Sequence, residues 1–300
     1  MSFASQVKTE LLRHENESCC ETSVCRALLL FGREFSSYGI SFLTENRELA
    51  EAYAGAVHLF SGISPEIHTS ESGNCKIVIE DKNIIGAIFD EVLPGGLNAK
   101  KQLTIGKIEK ECCRWSFIRG AFLAAGTVTD PDKEYHLEIT CPSKNLAAEL
   151  QTLIGEAEIN MKLTKRGGAN VLYLKKSEII EDFLTRMGAN DTVMMMMNSK
   201  MVKDVRNIVN RRVNFENANM VRSIEAAGKQ YDAIQTIVSH GGISSLPDEL
   251  QEIARLRLEN PDVTTGEIRK LLSDSLTVSG VNHRFQKLIK IAEELANANR

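Results

Sequence analysis

Apolar and polar positions along the first two thirds of the chain switch between two periods, and the switches come in the same order twice. Residues 38–43 alternate, as a half-buried strand does, and residues 46–60 repeat every three to four positions, as an amphipathic helix does. A hairpin pattern about Ser72, Gly73 and Asn74 follows, then a helix near 84–92. The second pass reads as a strand over 135–140, a helix over 144–154, strands over 161–165 and 171–175 about Gly167 and Gly168, and a helix over 178–187.

A shift of 93 positions explains the recurrence: it lays Cys19, Cys20, Ser23, Arg26 and Leu30 on Cys112, Cys113, Ser116, Arg119 and Leu123. Each copy opens with a helix, so the expected architecture is α+β, two αββαββα units from one duplicated domain. In the second opening helix Gly120, Ala121, Ala124 and Ala125 stand at i, i+1, i+4 and i+5. Small residues at that spacing let backbones approach, and in a duplicated fold they predict that the two opening helices pack on each other about a pseudo-two-fold axis.

The last third is helical throughout. Lys200, Lys203, Arg206, Arg211 and Arg212 share one segment opposed by Asp204, a cluster of charge that either solvates a helix or tracks phosphates. Helical character runs on over 217–238 to Gly241 and Gly242, a hinge signal. Beyond it, a helix begins near Pro247 and stops before Pro261, and Thr264 and Glu267 form a capping box for a second helix. A third, expected to be capped by Ser279, puts Val281, Phe285, Leu288, Ala292 and Leu295 on one stripe. Its other face carries His283, Gln286, Lys287 and Lys290, flanked by Asn282 and Arg284, which reads as a helix-turn-helix presenting amides and cations to DNA. The expected domains are an N-terminal arm over 1–20, the duplicated domain over 21–198 with repeats at about 21–95 and 112–190, a basic helical connector over 199–240, and an all-α helix-turn-helix domain over 241–300.

Composition narrows the function classes. No apolar run is long enough to span a bilayer, and the first residues lack the basic-then-apolar order of a secretion signal, so a cytoplasmic protein with no membrane partner is expected. Net charge is -4, so DNA affinity has to come from local patches. The seven cysteines are an odd number and include two adjacent pairs without histidines at ligand spacing, which reads as reduced, buried thiols, with no metal or cofactor implied.

The duplicated helices resemble those of the LAGLIDADG homing endonucleases, laid on Ile118 to Gly126. The position of that motif's metal-binding acid falls on Ala125, and on Gly32 in the first copy. Neither supplies the oxygen that a hard divalent cation requires, and Glu34 and Asp130 are displaced along the chain, so no catalytic residue and no nuclease activity are expected.

Nearly the whole chain resembles the WhiA family, through Met1 to Ser5, Arg119 to Ala124, Tyr135 to Ile139, Val209 to Asn214 with Asn217 to Asn219, Glu252 to Leu256, and Ser279 to Arg284. Arg33 and Phe215 depart from that family's pattern. The resemblance implies a sequence-specific regulator of transcription, acting in cell division, chromosome segregation or sporulation, with promoter double-stranded DNA as partner and the nucleoid as location. The alternative is a protein-binding cell-division factor, partnered by transcription or division proteins, with non-specific DNA affinity. The residues assigned to DNA are Ser279, Asn282, His283, Arg284, Gln286, Lys287 and Lys290, with Lys203, Arg206, Arg211 and Arg212 on the connector.

Overall fold

The structure is a computed structural model that describes residues 2–93 and 105–298; the expected end of the first repeat at 95 and the last two residues of the expected C-terminal domain lie outside them. The chain divides into two compact units, Met1–Lys203 and Asp204–Arg300.

The first unit contains the expected duplication. After α1 (Phe3–Leu12), one copy runs α2 (Ser18–Leu30), β1 (Glu34–Phe35), β2 (Ile40–Thr44), α3 (Arg47–Ser61), β3 (His68–Thr69), β4 (Cys75–Ile79) and α4 (Lys82–Val92). The other runs α5 (Glu111–Ala125), β5 (Gly126–Val128), β6 (Leu137–Cys141), α6 (Lys144–Gly155), β7 (Lys162–Arg166), β8 (Ala169–Leu174) and α7 (Ser177–Met187). Each copy has a four-stranded antiparallel sheet, ordered β1-β2-β4-β3 and β5-β6-β8-β7. Local chemistry sets the boundaries: the side chains of Asn46, Asp81 and Ser143 accept from the exposed N–H groups at the starts of α3, α4 and α6. Gly167 and Gly168, at φ +57° and +86°, make the two-residue turn between β7 and β8.

The duplication extends to side-chain roles. Arg26 Nε donates to the Val92 carbonyl and Arg119 Nε to the Met187 carbonyl, both at 2.6 Å. In each copy, therefore, the opening helix uses one arginine to satisfy a carbonyl at the end of the closing helix, where no intrahelical donor is available. The two residues matched by the register shift are structural in both copies.

Helices α2 and α5 pack against each other through the core that contains Ala27, Leu30, Phe117 and Ala121, all buried. At Gly120 the approach is so close that a Cβ would stand 2.4 Å from the Val24 carbonyl oxygen and 2.8 Å from the Ala27 Cβ. Both obstacles belong to the facing helix, so relief requires the helices to separate. Gly120→Ala is accordingly expected to cost about 2 kcal/mol, the strain of overpacking outweighing about 1 kcal/mol of gained helix propensity. Urea unfolding of the full chain checks the loss.

The N-terminal residues do more than an arm would. Val7 and Leu11 are buried, and the Glu10 carboxylate accepts from the N–H groups of Asp191 (2.7 Å) and Thr192 (2.9 Å) at the start of α8 (Asn190–Gly241). A carboxylate there neutralises the positive end of that helix. In the methionine run at its start, Met196 is buried whereas Met194, Met195 and Met197 are exposed.

The second unit contains the end of α8, α9 (Asp248–Glu259), α10 (Thr265–Leu271) and α11 (Val278–Ala298). Its core joins Ala233, Ile234 and Ile237 of α8 to Leu250, Ile253, Ile268, Val281, Phe285 and Leu288. The expected boundary at 240/241 therefore cuts a core: α8 continues through the expected connector and supplies one wall of the small helical domain. No proline interrupts residues 190–241, which is why the helix does not end sooner.

Candidate nucleic-acid interface

The helix-turn-helix is α10, the connection over residues 272–277, and α11. The capping box at the start of α10 is present, with Thr264 N–H donating to Glu267 Oε2 (2.7 Å) and Glu267 N–H to Thr264 Oγ1 (3.3 Å). The connection is longer than a minimal helix-turn-helix turn, and three side chains fix it. Ser273 N–H donates to Glu252 Oε1 (2.9 Å), Arg269 Nε donates to the Leu276 carbonyl (2.9 Å), and Arg284 Nη2 pairs with Asp274 Oδ2 (3.2 Å). Such a turn aims the helix that follows it.

Thr277, not Ser279, begins that helix: its hydroxyl accepts from Gly280 N–H (3.2 Å) and its carbonyl from Val281 N–H (3.0 Å). Ser279 sits inside the first turn and is exposed. With Val281, Phe285 and Leu288 buried, the turn of 100° per residue directs Asn282, His283, Gln286 and Lys290 outward, and all four are exposed.

Two of the assigned cations are committed within the domain. Arg284 is mostly covered and holds the turn through Asp274, so it is a positioning residue rather than an open phosphate contact. Lys287 Nζ lies 2.8 Å from Glu249 Oε1 on α9, and the ammonium holds that carboxyl below the usual carboxylate range. Lys290 and Glu294 form a loose i,i+4 pair at 3.9 Å.

Sequence reasoning missed the residue that organises this domain. Arg257 is fully buried; its guanidinium donates to Gln230 Oε1 (3.1 Å) and to the carbonyls of Asn260 (3.1 Å), Pro261 (3.4 Å) and Val263 (2.6 Å), and lies 5.1 Å from the Phe285 ring centroid. It thereby joins α8, the α9–α10 connection and α11. An arginine in an amphipathic helix ordinarily reads as solvated, and no signal in the sequence marked this one.

The connector cations differ from one another. Lys203 is half-buried, donates to the Pro131 carbonyl and stands 5.3 Å from the Tyr135 ring centroid, so it is held by the first unit and is withdrawn from phosphate tracking. Arg206, Arg211 and Arg212 are exposed, the last paired with Glu216 at 2.9 Å.

In the first unit, the C-terminal ends of α2 and α5 meet at a cavity of about 310 Å³ lined by Gly32, Arg33, Ala124, Ala125 and Thr140 among others, none of them a carboxylate. Glu34 accepts from the Ser36 hydroxyl (3.1 Å), and Asp130 from the Asp132 N–H (2.9 Å) in a turn. Neither lines the cavity.

Both architectures have family counterparts. Residues 114–206 match the WhiA LAGLIDADG-like domain, and residues 209–292 match the WhiA C-terminal HTH domain. The chain is 36% identical to a protein of Ruminiclostridium cellulolyticum named "Probable cell division protein WhiA", across 100% of this chain and 99% of that one. The chain belongs to the WhiA family. A relative of the same name from Caldicellulosiruptor saccharolyticus is 35% identical, with 98% of this chain and 96% of the relative covered. The crystal structure of full-length WhiA from Thermotoga maritima matches 98% of this chain and 99% of that chain, at 25% identity and a TM-score of 0.58. The WhiA HTH match begins at 209, within α8, in agreement with a C-terminal core that includes part of that helix. Among the described residues no helix is long and apolar enough to cross a membrane.

Proposed function

We propose that this WhiA-family chain is a sequence-specific DNA-binding regulator of transcription, acting at the nucleoid in cell division, chromosome segregation or sporulation, and that it does not cut DNA. The observation that carries the reading is the outward face of α11, where Asn282, His283 and Gln286 are exposed on a helix whose entry turn is fixed by three side-chain contacts. Amide side chains can pair bidentately with adenine in the major groove, and a rigid helix aims them. Ser279 in the first turn, Lys290 along the helix, and Arg206, Arg211 and Arg212 on α8 suit phosphate contacts, which add affinity without sequence information. Lys287 reaches DNA only by exchanging Glu249 for it, so base reading falls first to Gln286 and Asn282. The cell-division role is supported by the names of the relatives.

Incubation with Mg²⁺ or Mn²⁺ is expected to leave supercoiled plasmid intact, because the cavity at the ends of α2 and α5 offers a divalent cation no carboxylate. Nicking above the level of a metal-free control, lost in Glu34→Gln or Asp130→Asn, would refute this. Binding to a site selected from a random duplex library, with and without the Gln286 amide, tests the reading as a whole.

A further inference from the structure

The ends of α2 and α5 opposite the carboxylate-free cavity bring the two cysteine pairs together. Cys19 and Cys20 are the second and third residues of α2, and Cys112 and Cys113 hold the same places in α5. All four sulfur atoms lie within 4.8 Å of one another, and Cys112 Sγ and Cys113 Sγ are 3.9 Å apart. Among the described residues this is the one group of three or more His, Cys, Asp or Glu side chains gathered at that spacing.

We propose that these four cysteines form a tetrathiolate zinc site that fastens the two repeats at their opening helices. Tetrahedral zinc with Zn–S bonds of about 2.3 Å sets its sulfur atoms about 3.8 Å apart, so the cluster needs to contract by only about 1 Å at its widest pair. Binding Zn²⁺ replaces four S–H protons, and those released to solvent leave a centre of charge about -2. The surroundings favour that charge. The cluster lies in the first turn of both helices, and neither Glu17 nor Lys110, at the N-cap positions, uses its side chain to cap the helix. Oxygen-ligand cations such as Mg²⁺ are disfavoured, since the cluster offers only soft sulfur.

The test uses the full-length chain under a phosphine reductant, with Zn²⁺ and Co²⁺ each supplied alone. After gel filtration through metal-free buffer the parent is expected to retain one equivalent of Zn²⁺. With Co²⁺ it should show the intense visible d–d bands and the near-ultraviolet sulfur-to-metal charge transfer of a tetrahedral thiolate site, bleached by Zn²⁺. Cys112 is exposed and Cys19 half-exposed, so Cys19→Ser and Cys112→Ser spare the core; each should weaken Co²⁺ binding on the order of tenfold or more, whereas Cys25→Ser, outside the cluster, leaves it unchanged. Zn²⁺ should raise the melting temperature of the parent and of Cys25→Ser but not of the Cys19→Ser/Cys112→Ser double variant. The proposal is overturned if the folded, reduced parent retains no more metal than that double variant, if the Co²⁺ spectrum lacks thiolate charge transfer, or if the sulfurs are found only as disulfides that return to metal-free thiols on reduction.

Discussion

A fragment that begins at Gly242 is expected to be unfolded at 25 °C, and one that begins at Asp204 to fold as a helical domain. The hinge signal at Gly241 and Gly242 invites the shorter fragment, but that cut removes Ala233, Ile234 and Ile237 from the core. Losing a buried isoleucine to alanine costs about 2–5 kcal/mol, so loss of two together with the backbone that bears them removes on the order of 5–10 kcal/mol. A single core below about 70–80 residues rarely supplies more than about 3–5 kcal/mol, so the shorter fragment has nothing left to fold with. The cut also takes Gln230 from Arg257 and leaves that guanidinium facing solvent on one side. Circular dichroism and amide chemical-shift dispersion distinguish the outcomes. A cooperatively melting fragment from Gly242 would show that α8 is dispensable to this core.

Arg257→Ala is expected to destabilise the C-terminal unit by about 4 kcal/mol. The loss has three parts: carbonyls of the α9–α10 connection and the Gln230 amide oxygen lose their donor, the Phe285 ring loses a cation, and a void replaces the largest fully buried side chain among the described residues. Each buried acceptor left without a partner costs about 1–3 kcal/mol, and the void adds to that. For a unit of 97 residues that is a large share of a total stability on the order of 5–15 kcal/mol. Arg257→Lys should recover less than half, because one ammonium cannot span acceptors arranged for a planar fork. Urea unfolding of the fragment from Asp204 measures both; an Arg257→Ala loss under about 1 kcal/mol would mean the network contributes little.

The duplicated domain was largely legible because its information is periodic. The matched cysteines, serines and arginines set the repeat, and the alternation in residues 38–43 and 135–140 marked the strands at the centre of each sheet. The first strand of each copy was not legible, since two or three residues are too few to display a period. Strand β7, Lys162–Arg166, is exposed at every position and lies at a sheet edge, so burial does not mark it; the Gly167-Gly168 turn that joins it to β8 did. The stripe at Gly120 predicted the close packing of the opening helices, while the roles of Arg26 and Arg119 needed the positions of two distant helix ends. The cysteine pairs show the same limit: ligand-spacing motifs describe ligands close together in the chain, and here two helices 93 residues apart bring the sulfurs together. On α11 the apolar stripe placed Asn282, His283, Gln286 and Lys290 on the outer face, where they are exposed, but which of the helix's cations are occupied by Asp274 or Glu249 depended on tertiary placement.

The most direct test of the proposed function is competition binding by the full chain and Gln286→Ala, across a salt series, to a site selected from a random duplex library and to random duplex of equal length. The parent should prefer the selected site by about 10³-fold or more. Gln286→Ala, with an unchanged melting temperature because the residue lies off the buried stripe, should lose about 1–3 kcal/mol on the selected site and less on random DNA, with the salt slope unchanged. A folded Gln286→Ala variant that binds the selected site as tightly as the parent, or a selection that enriches no sequence, would contradict the assignment of α11 as the reader.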